Sequence, residues 1–333
     1  MWITSSLDSV RTPTRVALGN FDGIHRGHQC VIEPIVLGST VCRSAVVGST
    51  SETEAGQDSG NDAGVPTVLT FHPHPQEFFS GRQRSLLTPI EEKAAFLATL
   101  GIEQLVLLPF TQTLASLSPY DFVEQILVNC LKPYCISVGQ DFCFGRDRKG
   151  TATELKAIAA DFGITVYTVA LHTELGDRIS SSRIRQALQS GNLDEANQLL
   201  GRPYTLCGTV VQGQQLGRQI GFPTANLQLP SEKFLPRDGV YVVRVQGIAG
   251  ATEAAGVMNL GIRPTVNGKQ RTVEVHVFDW SGNLYDQSLT VSLEAFLRPE
   301  QTFESLDALK SQIQQDCDTA RSLLATLPIV HKP

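Results

Sequence analysis

Gly19–Gln29 reads G-N-F-D-G-I-H-R-G-H-Q, a turn between a short strand and a helix, and its reading organises the rest of the chain. Arg15 to Leu18 before it is strand-like. From near His28 onward, Val31, Ile32, Ile35 and Val36 recur at helical spacing. Gly19, Gly23 and Gly27 punctuate the turn. Glycine accepts positive φ and lets a ligand come close to the backbone, so the junction suits a phosphate laid on a helix N-terminus. His25 and His28 can both face that helix mouth, where ring N–H groups stabilise charge developing on a phosphoryl group. One histidine alone would read as an exposed loop residue; two in this glycine frame read as a site. No G-K-[ST] follows and no G-x-G-x-x-G is present, so the turn is neither a Walker A loop nor a dinucleotide fingerprint.

A chain of 333 residues, 41% hydrophobic, suits two domains with a core each. The net charge of -6 provides no basic field for nucleic acid, so local arginines and lysines are left to bind small anions. Seven cysteines lie scattered without a C-x-x-C pair, which is neither zinc nor disulfide spacing and fits reduced thiols of a cytoplasmic protein. The N-terminus lacks a basic region followed by an apolar core, and no run approaches a membrane span. The expected partners are therefore small molecules, with no nucleic acid and no membrane. Composition leaves a homo-oligomer open.

Residues 38–65 are rich in Ser, Thr, Gly and Ala with scattered acids, too apolar-poor to order themselves, and read as a flexible insertion. A strand at Thr67 to Thr70 leads into F-H-P-H-P-Q-E-F-F, Phe71 to Phe79. Pro73 and Pro75 stiffen this turn and hold His72 and His74 at the carboxyl end of a strand, where open α/β sheets bind ligands. Taken alone, the motif reads equally well as a stiff surface turn. Helix Pro89 to Leu100, strand Gln104 to Leu108, helix Pro119 to Cys130 and strand Tyr134 to Val138 then alternate, the pattern of a doubly wound parallel sheet. The last strand runs into G-Q-D-F-C-F-G-R-D-R-K-G, Gly139 to Gly150. There Asp141 can hold a ribose or adenine group, and Arg146, Arg148 and Lys149 are available to phosphates. A helix from Thr151 to Phe162 and a strand from Thr165 to Val169 lead to D-R-I-S-S-S-R-I-R, Asp177 to Arg185. A helix cap needs one serine, and here three serines stand among Arg178, Arg183 and Arg185.

Beyond a short helix, Leu193 to Leu200, the pattern changes to turn-separated strands: Tyr204 to Val211, Val240 to Gln246, Thr252 to Met258, Thr272 to Phe278 and Leu289 to Leu297. Such a run reads as an antiparallel β-barrel, so the domains are set at 1–188 and 189–333. Gly213, Gly217 and Gly221 form a glycine-rich loop after the first barrel strand, a weak phosphate signal. In Pro223-Thr224-Ala225-Asn226 a hydroxyl and an amide oxygen stand close together, which is an ordinary polar turn or a pair of Mg²⁺ ligands. Thr272 to Asp279 alternates, placing Glu274 and His276 on one face and Val273, Val275 and Val277 on the other. Leu306, Leu309, Ile313, Cys317, Ala320 and Leu324 share a face of a C-terminal helix that caps the barrel.

H-x-G-H after G-N-F-D-G resembles the signature of the nucleotidyltransferase superfamily. The segments T-F-x-P-H-P, D-F-x-F-G and I-S-S-x-x-I-R that follow it in order resemble the flavin-adenylylating branch. In the second half, G-R-x-x-G-F-P-T-A-N-L, Gly239-Val240-Tyr241, Asn259-Leu260-Gly261 and Arg263-Pro264-Thr265 are similar to the riboflavin kinases. Together they resemble the prokaryotic-type bifunctional riboflavin kinase and FAD synthetase. The resemblance implies phosphorylation of riboflavin to FMN by the second half and adenylylation of FMN to FAD, with release of pyrophosphate, by the first. ATP is co-substrate and Mg²⁺ the metal. It implies catalytic roles for His25, His28, Arg178, Ser181 and Glu274, the last as base toward the ribityl hydroxyl. Contacts to ATP are implied for Gly19, Phe21, Asp22, Gly27, Asp141, Ser180, Arg185, Gly213, Gly217 and Gly221. Flavin contacts are implied for His72, Pro73, His74, Pro75 and Asn259, and metal ligation for Thr224 and Asn226. Asp286 departs from the pattern, standing where the kinases usually have glycine. Two other readings are an adenylyl- or cytidylyltransferase for another phosphate acceptor with an accessory barrel, and a flavin- or nucleotide-binding regulatory protein with both sites catalytically dead.

Overall fold

In a computed structural model, residues 1–37, 64–174, 176–213, 216–265 and 268–326 are described. Nearly all of the insertion expected at 38–65, with Cys42, lies outside them. β1 (Trp2–Thr4), β2 (Thr14–Leu18), β3 (Val65–His72), β4 (Gln104–Pro109), β5 (Pro133–Gly139) and β6 (Thr165–Val169) form one sheet in the order β1-β4-β3-β2-β5-β6. Every neighbouring pair is parallel. Side chains alternate across it. Val16, Leu18, Leu69, Val106, Leu108, Ile136 and Val138 pack to one side against helical Phe122–Leu131 and α3 (Ala152–Asp161). Ala17, Val68 and Leu105 pack to the other against α1 (Arg26–Leu37) and α2 (Ile90–Thr99). Each buried aliphatic or aromatic side chain contributes roughly 1.5–3 kcal/mol, so the period-two pattern fixes which residues face which layer. The chain winds outward from β2 through β3 to β4, then returns to the other side of β2 for β5 and β6. The carboxyl ends of β2 and β5 therefore flank the point where strand order reverses, the usual ligand crevice of such a sheet.

Three local differences from the sequence reading have physical causes. β1 is too short to show a period. α1 begins at Arg26, two residues before the expected start, because the turn itself is buried. The helix expected at Pro119 to Cys130 is one turn, Pro119–Asp121, capped by the Ser118 hydroxyl, followed by Phe122–Leu131 wound with π-type bonds. Lys132 ends that segment at φ 47°, its N–H donating to Leu127 O; apolar spacing alone does not separate π from α winding.

The second half closes a six-stranded antiparallel barrel from β7 (Tyr204–Val211), β8 (Ala225–Gln228), β9 (Gly239–Gln246), β10 (Ala254–Thr265), β11 (Gly268–Val277) and β12 (Ser288–Arg298), in the order β7-β8-β11-β10-β9-β12. Its interior is a set of paired apolar rows, such as Val245 with Val291 and Leu206, and Tyr241 with Met258 and Val275. β8 and the second part of β10 were not foreseen, since Pro223, Gly261 and Pro264 punctuate them like loops. Outside the barrel, Val240, Val242, Val257 and Phe278 receive Ile313, Cys317, Ala320 and Leu324 of α6 (Leu306–Thr326). Leu306, expected on that face, is 66% exposed at the helix start. All six described cysteines are free thiols, and burial pushes that of Cys317 up to about 11.

The described residues separate into two compact units, Met1–Arg84 with Ile90–Ile179, and Ser85–Pro89 with the chain from Ser180 onward. α4 (Ser181–Ser190) and α5 (Leu193–Leu200) thereby lie in the barrel unit. α6 is tied to the barrel by Arg298, whose Nη2 donates to Asp316 Oδ2 at 2.7 Å while its Nε donates to Oδ1 at 3.0 Å; Asp316 is buried. Removing one partner of a buried pair strands the other charge and costs about 3–5 kcal/mol. Asp316→Ala is expected to lower the stability of the barrel unit by about that much, read as an earlier transition of this unit in urea with the sheet unit unmoved.

Candidate active sites

The turn after β2 is fixed by its own burial. Phe21 and Ile24 are fully buried although both take left-handed backbone, φ 48° and 40°, on either side of Gly23 at 88°. Left-handed non-glycine residues cost about 1–3 kcal/mol each, so such a turn persists only where its surroundings over-determine it. Asp22 and His25 are buried too. The His28 N–H donates to His25 Nδ1 at 3.3 Å, and the two rings stack with centroids 3.6 Å apart and 14° between planes. With Nδ1 accepting, the neutral His25 ring carries its proton on Nε2. A Cβ on Gly27 would press on His25 Nδ1 at 3.3 Å, which is why glycine separates the two histidines. The sequence reading thus placed both histidines correctly at one helix mouth. It missed Lys93 of α2, which is buried, with Nζ donating to Asn20 O at 2.9 Å. Thr70 Oγ1 donates to the same carbonyl at 3.1 Å. Burial holds the Lys93 ammonium below its ordinary pKa, and the nearby Asp22 carboxylate opposes that shift. The available signal was a lysine four residues before Leu97 on the apolar side of a helix.

Two further sequence-derived segments lie in this unit at strand carboxyl ends. Beyond β5, Asp141 pairs with Arg178, both about half exposed, while Arg146, Arg148 and Lys149 project from an exposed turn in which Asp147 and Arg148 are left-handed. At the end of β3, His72 is exposed and the His72–Pro73 bond is cis. His74 serves as N-cap of helix Pro75–Ser80, its Nδ1 accepting from Gln76 N–H at 3.1 Å, with Arg84 Nη1 3.2 Å from its Nε2. Beside them Phe71, Phe78 and Phe79 each meet Phe110 edge-on at 5.3–5.7 Å, and Phe79 is 69% exposed. This aromatic platform was not singled out in the sequence, although both Phe78 and Phe79 stand in the quoted motif.

Ser180, Ser181 and Arg185 belong to the barrel unit. Ser180 caps α4, its hydroxyl accepting from Arg183 N–H at 3.2 Å. Arg183 is bound by Glu195 at 2.7 Å, and Arg185 donates to Ser181 O at 3.3 Å and Ser85 O at 3.0 Å.

On the barrel exterior a polar row crosses three adjacent strands: Asn226 of β8, Glu274 of β11 and Asn259 of β10 stand in direct register. Directly opposed residues share a face with Cβ atoms about 4.5–5.5 Å apart, so both amides flank the carboxylate. Thr224 Oγ1 lies 3.4 Å from Glu274 Oε2. The turn carrying Thr224 is held from the next outward position, where His276 Nδ1–H donates to Pro223 O at 2.8 Å. Gly213 lies so close to Asn226 that a Cβ would fall 2.3 Å from its amide nitrogen. Glu274, Thr224, Asn259 and His276 line a cleft of about 400 Å³ beneath α6, walled by Val240, Val257, Met258, Phe303, Leu309 and Ile313. Thr224 also lines a second cleft, of about 580 Å³, with Arg218, Trp280, Asn283 and Tyr285. Just past it Asp286 sits at φ 62°, so the position does demand the conformation that glycine adopts freely; aspartate is among the few other residues that tolerate it.

Comparison with known proteins assigns each half of the chain to a family. Residues 200–324 match the riboflavin kinase family, and residues 8–47 and 53–183 match the FAD synthetase family. A bifunctional riboflavin kinase/FMN adenylyltransferase of Pseudomonas fluorescens is 38% identical over the whole of both chains. One of Escherichia coli K12 is 37% identical over 92% of this chain and 91% of its own. A solved structure from Streptococcus pneumoniae, titled a macrolide-efflux protein, superposes with a TM-score of 0.80 at 30% identity, covering 96% of this chain and 98% of its own. Among the described residues here, no helix is long and apolar enough to cross a membrane.

Proposed function

The chain belongs to the bifunctional riboflavin kinase/FMN adenylyltransferase family, and we propose that its two reactions are run by the polar row on the barrel and by the histidine turn of the sheet unit. The C-terminal half phosphorylates riboflavin to FMN, and the N-terminal half adenylylates FMN to FAD. The observation that supports the kinase assignment best is Glu274 flanked in register by Asn226 and Asn259 beside Thr224. Glu274 accepts the proton of the ribityl primary hydroxyl as its oxygen attacks the γ-phosphorus of ATP; the new O–P bond forms as the β–γ bridge breaks to leave ADP. The apolar walls beneath α6 suit the flat flavin ring, with Asn259 available to its polar edge. The glycines at 213, 217 and 221 and the second cleft, reached past Thr224, suit the nucleotide.

Thr224 and Asn226 offer a hydroxyl and an amide oxygen next to a carboxylate, a hard-oxygen donor set that fits Mg²⁺. When bound, the metal would neutralise phosphate charge. Asn226→Ala is expected to raise the Mg²⁺ concentration needed for half-maximal riboflavin phosphorylation roughly tenfold or more, while the Mg²⁺ dependence of FAD formation stays unchanged. An unchanged requirement in the kinase assay would remove Asn226 from the metal site.

In the sheet unit, the FMN phosphate attacks the α-phosphorus of ATP, and the α–β bridge breaks to release pyrophosphate. The nucleophile is already an anion, so alignment and charge stabilisation suffice. His25 and His28, stacked at the mouth of α1, stabilise the reacting α-phosphate. Asp141 holds the ribose or adenine, and Arg178, paired with it here, turns to the phosphates. The Phe71–Phe110 platform beside His72 to Pro75 suits the flavin ring.

A further inference from the structure

We infer that Lys93 is a positioning residue of the adenylylation site, an ammonium built beneath the histidine turn to hold it in its strained shape; this rests on the assignment of the histidine turn to FAD formation. A buried lysine needs a reason, because its charge is costly away from water. Lys93 lies in the middle of α2, where an apolar residue would pack as its neighbours Ala94 and Leu97 do. Its Nζ instead reaches the carbonyl of Asn20, the residue just before the left-handed Phe21, Gly23 and Ile24. Thr70, on β3 next to β2, donates to the same oxygen, and the Gly19 N–H donates to Leu69 O at 3.3 Å. The turn is thus pinned at its entry by two side-chain donors and one backbone bond. Its exit is pinned by His28 N–H on His25 O and Nδ1.

The two donors are not equivalent. Thr70 supplies a neutral hydrogen bond, whereas Lys93 adds a positive charge that is also coupled to Asp22 inside the same turn. A charge-assisted bond is roughly twice as strong as a neutral one. Lys93 does not touch the substrate in this reading; it acts by fixing where the turn presents His25 and His28.

The test uses the full-length chain with Lys93→Met, which keeps length and apolar packing, and Lys93→Arg, which restores a cationic donor. FAD formation from FMN and MgATP, riboflavin phosphorylation and thermal unfolding are followed for each, with His28→Ala assayed alongside. A misplaced reacting group costs on the order of a hundredfold, so Lys93→Met is expected to lose about ten- to a hundredfold in kcat for FAD formation. The KM values for FMN and ATP should change little, kinase activity should be retained, and Lys93→Arg should recover most of the loss. A purely structural lysine would lower the melting temperature and leave the kcat of the folded fraction at the parent value, which overturns the inference. So does a Lys93→Arg variant that is folded yet as slow as Lys93→Met. If Lys93→Met leaves the sheet unit unfolded, the folded Lys93→Arg variant decides alone: near-parent kcat supports the inference and a Met-like loss defeats it. His28→Ala at full rate would overturn the underlying assignment instead, whatever Lys93 does.

Discussion

His28→Ala is expected to lose FAD formation by roughly a hundred- to a thousandfold, the usual cost of removing one preorganised donor from a site of developing charge. The ring it removes is stacked on His25 at 3.6 Å and stands in the first turn of α1, at the carboxyl end of the central strand. The ring also meets Phe21 at 5.2 Å, but the Asn20 carbonyl stays held by Lys93 and Thr70, so the turn is expected to keep its shape and the loss to fall on kcat. Riboflavin phosphorylation should continue at the parent rate, because His28 belongs to the sheet unit and Thr224, Asn226, Asn259 and Glu274 to the barrel unit, and the product should accumulate as FMN. Chromatographic separation of the flavins reads both outcomes from one incubation. FAD appearing at the parent rate would remove the histidine turn from the chemistry.

Glu274→Gln is expected to give the mirror image. Glutamine keeps the shape, the place between Asn226 and Asn259 and an oxygen to accept from Thr224, but cannot take a proton, and loss of a general base costs about a hundred- to ten-thousandfold. Riboflavin and MgATP should still bind, since Thr224, Asn226 and the cleft beneath α6 remain. FMN supplied from outside should still become FAD. Phosphorylation of riboflavin at the parent rate would make Glu274 an ordinary polar residue of a strand exterior.

Much of this was legible in the residues because the signals were local. Strand–turn–helix spacing around Gly19 to Gln29 gave the turn, and the alternation of Thr272 to Asp279 put Glu274 and His276 outside a barrel whose interior holds Val273, Val275 and Val277. What stayed hidden was long-range. Asn226 was read within a proline-fixed turn, yet it stands on a four-residue strand, and only pairing with β11 brings it opposite Glu274. Asn259 reaches the same carboxylate from the other side by the same kind of pairing. Lys93 is separated from Asn20 by more than seventy residues, a distance no periodicity bridges. His74 shows the converse: a motif histidine whose ring is engaged in capping the helix that follows it.

The central claim is that one chain holds two catalytic centres, each complete without the other's chemistry. Mixing the two variants tests it most directly: His28→Ala alone should convert riboflavin only to FMN, Glu274→Gln alone should convert almost none, and the two together with riboflavin and MgATP should produce FAD, as FMN released by one is adenylylated by the other. A mixture that stops at FMN while Glu274→Gln alone still adenylylates added FMN would contradict that independence, and a single variant that makes FAD from riboflavin at the parent rate would contradict the assignment of its site.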